Sequence, residues 1–152
     1  MISSSDDVPI SVKGVFIAET KGGSVPIVLL EDDEEKIMPI YIGPAEAVSI
    51  HMALRSEVPS RPLTHDLFVS LLNNIEYEIQ KIIIDELKGN IYYAKMILEN
   101  DKRCFELDAR PSDCIAIAIR TGIPIFVKSE VFNQSTVEIE ELGELRMMDD
   151  LT

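Results

Sequence analysis

The strongest constraint on the fold is a recurrence. Pro44-Ala45-Glu46 and Pro111-Ser112-Asp113 lie 67 positions apart, and setting them in register places Val48 on Ile115, Ile50 on Ile117 and Met52 on Ile119. Three segments rich in β-branched residues precede the first motif: "ISVKGVFIAE" (10–19), "VPIVLLED" (25–32) and "KIMPIYIG" (36–43). Three more precede the second: the two arms of "YEIQKIIIDELKGNIYYAKMILEN" (77–100) about a Lys88-Gly89-Asn90 turn, and "KRCFELDA" (102–109). Segments of this composition, punctuated by turn residues, read as antiparallel strands. Proline in a first turn, an acid beside the positive helix end and good helix formers behind them read as helix starts. The chain is therefore expected to be an α+β protein with an internal duplication of a βββα unit and a mostly antiparallel sheet. Its halves would cover about 10–57 and 77–122, related by an approximate two-fold axis, with an acid at the N-terminal end of each repeat helix.

Between the halves lies "RPLTHDLFVSLLNNI". Leu67, Phe68, Leu71, Leu72 and Ile75 recur at helical spacing, which predicts an extra linker helix over 64–75 with those residues on one face. The second repeat helix, 110–122, is apolar nearly all round and so expected to be buried, with Gly122 ending it ahead of Pro124. A short last strand is expected at 123–132. That makes residues 1–132 one domain, with 133–152 an acidic C-terminal helix or tail.

With 152 residues, 46% of them apolar, the chain can bury a core without metal or disulfide support. Its net charge of -13 looks unfavourable for a nucleic-acid partner. The distribution softens that objection: "EDDEE" at 31–35 contributes -5 and residues 129–152 contribute -6, so the body of the domain is nearly neutral. Such runs read as a solvated loop tip and a solvated or partner-binding tail. The start "MISSSDDVPI" has neither a basic nor an apolar leader region, and no apolar run approaches the roughly 18 residues of a membrane span. A soluble cytoplasmic protein is expected. Cys104 and Cys114 lack CxxC spacing and read as reduced core residues.

Two short stretches carry candidate chemistry. In Thr64-His65-Asp66 the plain reading makes Thr64 an N-cap and Asp66 a dipole partner. His65 is left over, and an imidazole beside a carboxylate can shuttle a proton or ligate a metal. On local sequence the cap is the simpler account. In Asp108-Ala109-Arg110-Pro111-Ser112-Asp113 the plain reading is a strand-to-helix turn. The alternative is a phosphate contact at Arg110, with Asp108 and Asp113 holding Mg²⁺ or Mn²⁺ through oxygen. No phosphate-loop glycine pattern, HExxH or paired Cys/His spacing accompanies them. His51, one turn before Arg55, reads as a structural histidine. Of Tyr92 and Tyr93, adjacent on a strand and so on opposite faces, at most one is exposed, and packing is the simpler role beside base stacking.

"PIYIGPAEA" (39–47), "RPLTHDL" (61–67) and "LDARPSDCIAIAIR" (107–120), in that order and spacing, resemble the bifunctional nuclease domain family, whose members are described as cleaving RNA and DNA. The resemblance runs from about Val12 to Phe132. One departure is Cys114, at a position where alanine is expected, a change for packing more than chemistry. The resemblance implies a duplicated α+β fold, a nucleic-acid substrate and hydrolysis of phosphodiester bonds assisted by a divalent metal, Mg²⁺ or Mn²⁺. By motif position it implies Asp66 and Asp113 as metal ligands and catalytic acids, His65 as general base or ligand, and Arg61 and Arg110 as phosphate contacts. Glu46, Thr64 and Ser112 would support them. The competing expectation is a non-catalytic binding module in which these residues are caps and ion pairs. Either protein is expected to be a homodimer or larger assembly, because the long 77–100 hairpin offers an edge.

Overall fold

The computed structural model describes residues 7–148. Strands β1 (Asp7–Thr20), β2 (Gly23–Glu31) and β3 (Ile37–Tyr41) lead into helix α1 (Pro44–Leu54), and helix α2 (Thr64–Asn74) follows. Strands β4 (Glu78–Lys88), β5 (Ile91–Glu99) and β6 (Cys104–Ala109) then lead into helix α3 (Pro111–Thr121). The order of three strands and a helix thus occurs twice, with α2 between. Strand β7 (Ile125–Lys128), helix α4 (Ser129–Ser135), a 3₁₀ turn (Ile139–Leu142) and strand β8 (Leu145–Met147) complete the described chain. Among the described residues no helix is long and apolar enough to cross a membrane.

One mixed sheet of order β3-β2-β1-β7-β4-β5-β6 holds these strands, with β8 also on β1. All pairings are antiparallel except β4 with β7. Strand β7 fuses the two three-stranded sets: its Ile125–Lys128 pair with Asp7–Ile10 of β1, and Ile125–Val127 pair with Ile82–Ile84 of β4. The β4–β5 hairpin turns at Gly89 and Asn90, both at positive φ, the conformation of a two-residue turn matched to strand twist. The acidic run forms the β2–β3 loop, where Asp32 Oδ1 accepts hydrogen bonds from the backbone N–H groups of Glu34 and Lys36.

The main core lies between the sheet and the helices. Ile82, Ile84, Met96 and Leu98 meet Ala47 and Ile50 of α1 and the stretch Cys114–Ala118 of α3 in one cluster. A second cluster covers the opposite face of β2, where Ile27 and Leu29 pack with Ala18 and Ile37 beneath Leu142 and Leu145. Strand β2 carries "PIVLL" without alternation because both its faces are covered.

That second cluster explains the first difference from expectation. The segment expected to be an acidic helix or tail folds back as a 3₁₀ turn and β8, since Leu142 and Leu145 close the far face of β2. The stretch expected as a strand over 123–132 is strand only to Lys128. Val131, Phe132 and Ser135 are buried on one side of α4, so adjacent apolar residues that resemble a strand are a helical face. The expected boundary at 132 falls inside that helix. Cys104 is exposed rather than in the core, because β6 is an edge strand with few buried positions; Cys114 is buried as expected.

Helix α2 differs in rotation. Leu72 is buried and Phe68 and Val69 pack partly against the core, whereas Leu67, Leu71 and Ile75 form an exposed row four residues apart. Turning His65 and Asp66 toward α1 and α3 carries that row outward. Truncating Ile115→Ala should therefore cost about 2–5 kcal/mol of unfolding free energy, whereas Leu71→Ser should stay within about 0.5 kcal/mol; urea denaturation of both variants checks the contrast.

Candidate functional site

Helices α1 and α3 begin alike. Each has an extended N-cap, Gly43 or Arg110, then proline, then an acid in the first turn, Glu46 or Asp113. The helix dipole favours both acids there. At Gly43 the Glu46 carboxylate folds back over the N-cap, into space that a Cβ would take. Arg110 links the two starts. Its Nε donates to Asp113 Oδ2 at 3.0 Å and its Nη2 to Asp113 Oδ1 at 3.1 Å, a bidentate pair, while Nη2 also reaches Glu46 Oε2 at 3.3 Å.

His65 enters from the first turn of α2. Its Nδ1 lies 2.6 Å from Ser49 Oγ, and its Nε2 lies 2.9 Å from Asp113 Oδ1. On its far side Ser49 Oγ accepts from Arg120 Nη2 at 3.0 Å. Arg120, with a side chain only 11% exposed, also donates from Nε to Asp66 Oδ1 at 2.7 Å and from Nη1 to Ala116 O at 2.9 Å. The other Asp66 oxygen accepts from the Leu63 backbone N–H at 2.9 Å. Asp66, Arg120, Ser49, His65, Asp113, Arg110 and Glu46 thus form one continuous chain of polar contacts across three helices.

For a neutral His65 the direction of the donors selects one tautomer. An ionised Asp113 can only accept, so His65 Nε2 carries a hydrogen. Ser49 Oγ accepts from Arg120 and has one hydrogen to give, which His65 Nδ1 accepts in the Nε2–H tautomer. Every donor then has an acceptor, running Arg120 to Ser49 to His65 to Asp113.

Electrostatics agree with ionised acids. At Asp66 the Arg120 hydrogen bond holds the carboxyl below its ordinary value, and the Leu63 N–H adds to it against partial burial. At Asp113 burial is the largest single influence and pushes upward, but the Arg110 and His65 hydrogen bonds together outweigh it and leave the group lowered. The Asp113 bond raises Arg110 in turn. The Cys114 thiol is pushed up to about 12, by burial first and then by Asp113 and Asp108, so it is an inert thiol.

Of the residues expected from sequence, His65, Asp66, Asp113, Arg110 and Glu46 are brought together. Ser112 is buried beside them in α3, whereas Thr64 is exposed and is the first residue of α2. The N-cap is Leu63, so the expected Thr64 cap does not form; Asp66 instead reaches back to accept the N-cap's own backbone N–H. Arg61 is exposed, with no hydrogen-bond or ion-pair partner among the described residues, and does not join the chain. Ser49 and Arg120 were not expected. The available signal was an arginine closing an otherwise apolar helix, a charge that must find acceptors. Among the described residues no three His, Cys, Asp or Glu side chains gather to hold a metal ion. The acids expected as ligands are instead engaged separately, Asp66 by Arg120 and Asp113 by Arg110 and His65, so the donor set as arranged does not fit a divalent cation.

Glu46, Arg110 and Ser112 border an open cleft of about 790 Å³, whose other walls include Tyr41 at the end of β3 and Ile91 and Tyr92 at the start of β5. A charged seam where two helix starts meet over an open cleft, on a mixed sheet, defines the class as an α+β domain with a candidate polar active site. Residues 27–140 match the bifunctional nuclease domain, and the chain belongs to that family. An uncharacterised protein of Mycobacterium tuberculosis is 34% identical over 131 residues, covering 86% of this chain and 78% of the relative. Bifunctional nuclease 1 of Arabidopsis thaliana is 24% identical, covering 82% of this chain and 42% of its own length. Bifunctional nuclease 1 of Oryza sativa subsp. japonica is 26% identical, with 69% and 33% covered. The chain thus spans less than half of these plant relatives.

Acid should dismantle the seam. Asp66 and Asp113 both have lowered folded-state values, so their contribution to stability is present above the unfolded carboxylate value, about 3.9 for aspartate. It is lost as pH falls through their folded values. Asp66→Asn should cost roughly 1–3 kcal/mol at pH 7 by leaving Arg120 without its charged partner. The gap to the parent should narrow toward pH 2; chemical denaturation at both pH values measures it.

Proposed function

We propose that this protein is a nuclease that hydrolyses phosphodiester bonds of RNA or DNA at the Arg110–Asp113–His65 seam. The observation that carries the reading is Arg110, 64% exposed at the border of the cleft yet bound bidentately to Asp113. A guanidinium whose fork suits a carboxylate suits a phosphate equally. Family membership and the names of the plant relatives support the same activity.

In this reading the phosphate draws Arg110 away from Asp113. The carboxylate loses the charge that holds its pKa down and becomes able to take a proton from attacking water, whose oxygen bonds phosphorus as the P–O ester bond breaks and the leaving oxygen takes its proton from solvent. His65, fixed by Ser49, keeps Asp113 oriented through Nε2–H, and Arg110 balances the charge that develops on the phosphate. Asp66 acts through Arg120 and positions Ser49. Arg61, exposed in the loop ahead of α2 and outside the residues that line the cleft, would be a second phosphate contact only for substrate that extends beyond it. No step requires a metal with the present donors; a divalent ion at Asp113 would first have to displace Arg110 and His65 from its carboxylate. Metal dependence is for this reason part of the test.

A second reading has its own observation. Every acid of the seam is already neutralised by an arginine or a histidine, as expected of a structural network in a non-catalytic binding module. The exposed row Leu67, Leu71 and Ile75 supports self-association in either case.

Purified protein assayed on RNA and DNA with Mg²⁺, Mn²⁺ or EDTA should show cleavage that falls about 100-fold or more in Asp113→Asn. Arg110→Lys should lose most of its rate, since a lysine cannot replace the fork. Cleavage undiminished in both Asp113→Asn and His65→Ala would sink the nuclease reading at this site.

A further inference from the structure

The nuclease reading uses only part of the cleft. Arg110 and Glu46 are the only charged residues among those described that line it. The cleft is also lined by Tyr41, 57% exposed, by Ile91, 58% exposed, and by half-buried Tyr92. Large apolar side chains left this open in a cleft that also holds a cation mark a binding surface more often than a free one. A duplex held by its backbone needs a track of cations. This cleft has one, opposed by Glu46. An unpaired base, by contrast, needs an aromatic face to stack on and one cation for the adjoining phosphate.

We infer that the cleft is a single-strand site, in which an unpaired nucleobase stacks on Tyr41 within the apolar lining that includes Ile91 and Tyr92 while its phosphate meets Arg110. The inference rests on the nuclease reading for the identity of the ligand, and it adds what that reading lacks, a preference for unpaired over paired substrate. Tyr41 is the principal contact, because its ring is more open than that of Tyr92. The hairpin turn at Gly89-Asn90, held at positive φ, sets where Ile91 and Tyr92 enter the lining. Duplex is disfavoured because stacked, paired bases present no face to Tyr41, and its second strand adds charge that the cleft does not neutralise.

Fluorescence anisotropy of the full chain tests this, using a short labelled oligothymidylate and a hairpin duplex of matched length, in EDTA, with cleavage assayed separately. The single strand should bind more tightly than the duplex. Tyr41→Ala should weaken single-strand binding about tenfold, while Tyr41→Phe, which keeps the ring, and Val58→Ser, on an exposed loop away from the cleft walls, should bind like the parent. Circular dichroism melting of each variant separates lost stacking from lost folding. Single-strand binding that depends on Tyr41 in a protein that cleaves nothing would uphold the cleft and remove the nuclease reading. Cleavage that persists while Tyr41→Ala binds like the parent would do the reverse. Equal affinity for duplex overturns the inference. So does a dimer by light scattering that Tyr41→Ala dissociates while no oligonucleotide binds, which would assign the lining to a second copy of the chain.

Discussion

Arg120 is the group around which the three central helices are arranged. A guanidinium keeps its charge at any pH a protein meets, so one this buried must be surrounded by acceptors. It finds them on Asp66 of α2, on Ser49 of α1 and on Ala116 of its own helix. Those demands set the rotation of α2, the burial of a serine in α1 and the depth of α3 between them. The outer residues inherit that order, because a serine that receives from Arg120 directs its hydrogen to His65, and His65 directs its own to Asp113. The exposed part of the seam is thus held by its buried part, an arrangement suited to keeping a reactive carboxylate still.

Much of this was legible in the sequence because it is written locally. Strands of β-branched residues, Pro-x-acid helix starts and the Gly89-Asn90 turn are signals within a few positions, and the two runs of three strands and a helix follow from them. What was misread depended on distant partners. The Arg120–Ser49 contact joins residues 71 positions apart and leaves no local trace in either helix. The fold-back of β8 answers an open face of β2, and the rotation of α2 answers Arg120; neither demand is visible in the segment that meets it. In the candidate site, His65, Asp66 and Asp113 could be singled out from their motifs, whereas their connection through Ser49 could not. Arg61 shares the motif of His65 but not its neighbours.

The distribution of charge also acquires a shape. The acidic loop and the acidic C-terminal segment, far apart in sequence, line one groove: Glu31, Glu34 and Glu35 on one side, Glu138, Glu140 and Glu141 on the other. This groove shares no lining residue with the cleft of Arg110. Six acids are therefore gathered in a groove separate from the cleft where Arg110 stands, so they are not part of the surface a ligand of that cleft would meet.

Strand β7 sets the order in which the molecule can be finished. Until Ile125–Lys128 arrive, β1 along Asp7–Ile10 and β4 along Ile82–Ile84 each present an unpaired edge. A ribosome making this chain releases both three-stranded sets before the strand that joins them. The two sets consequently have no strand between them until Ile125–Lys128 pair, and that short segment acts as the latch.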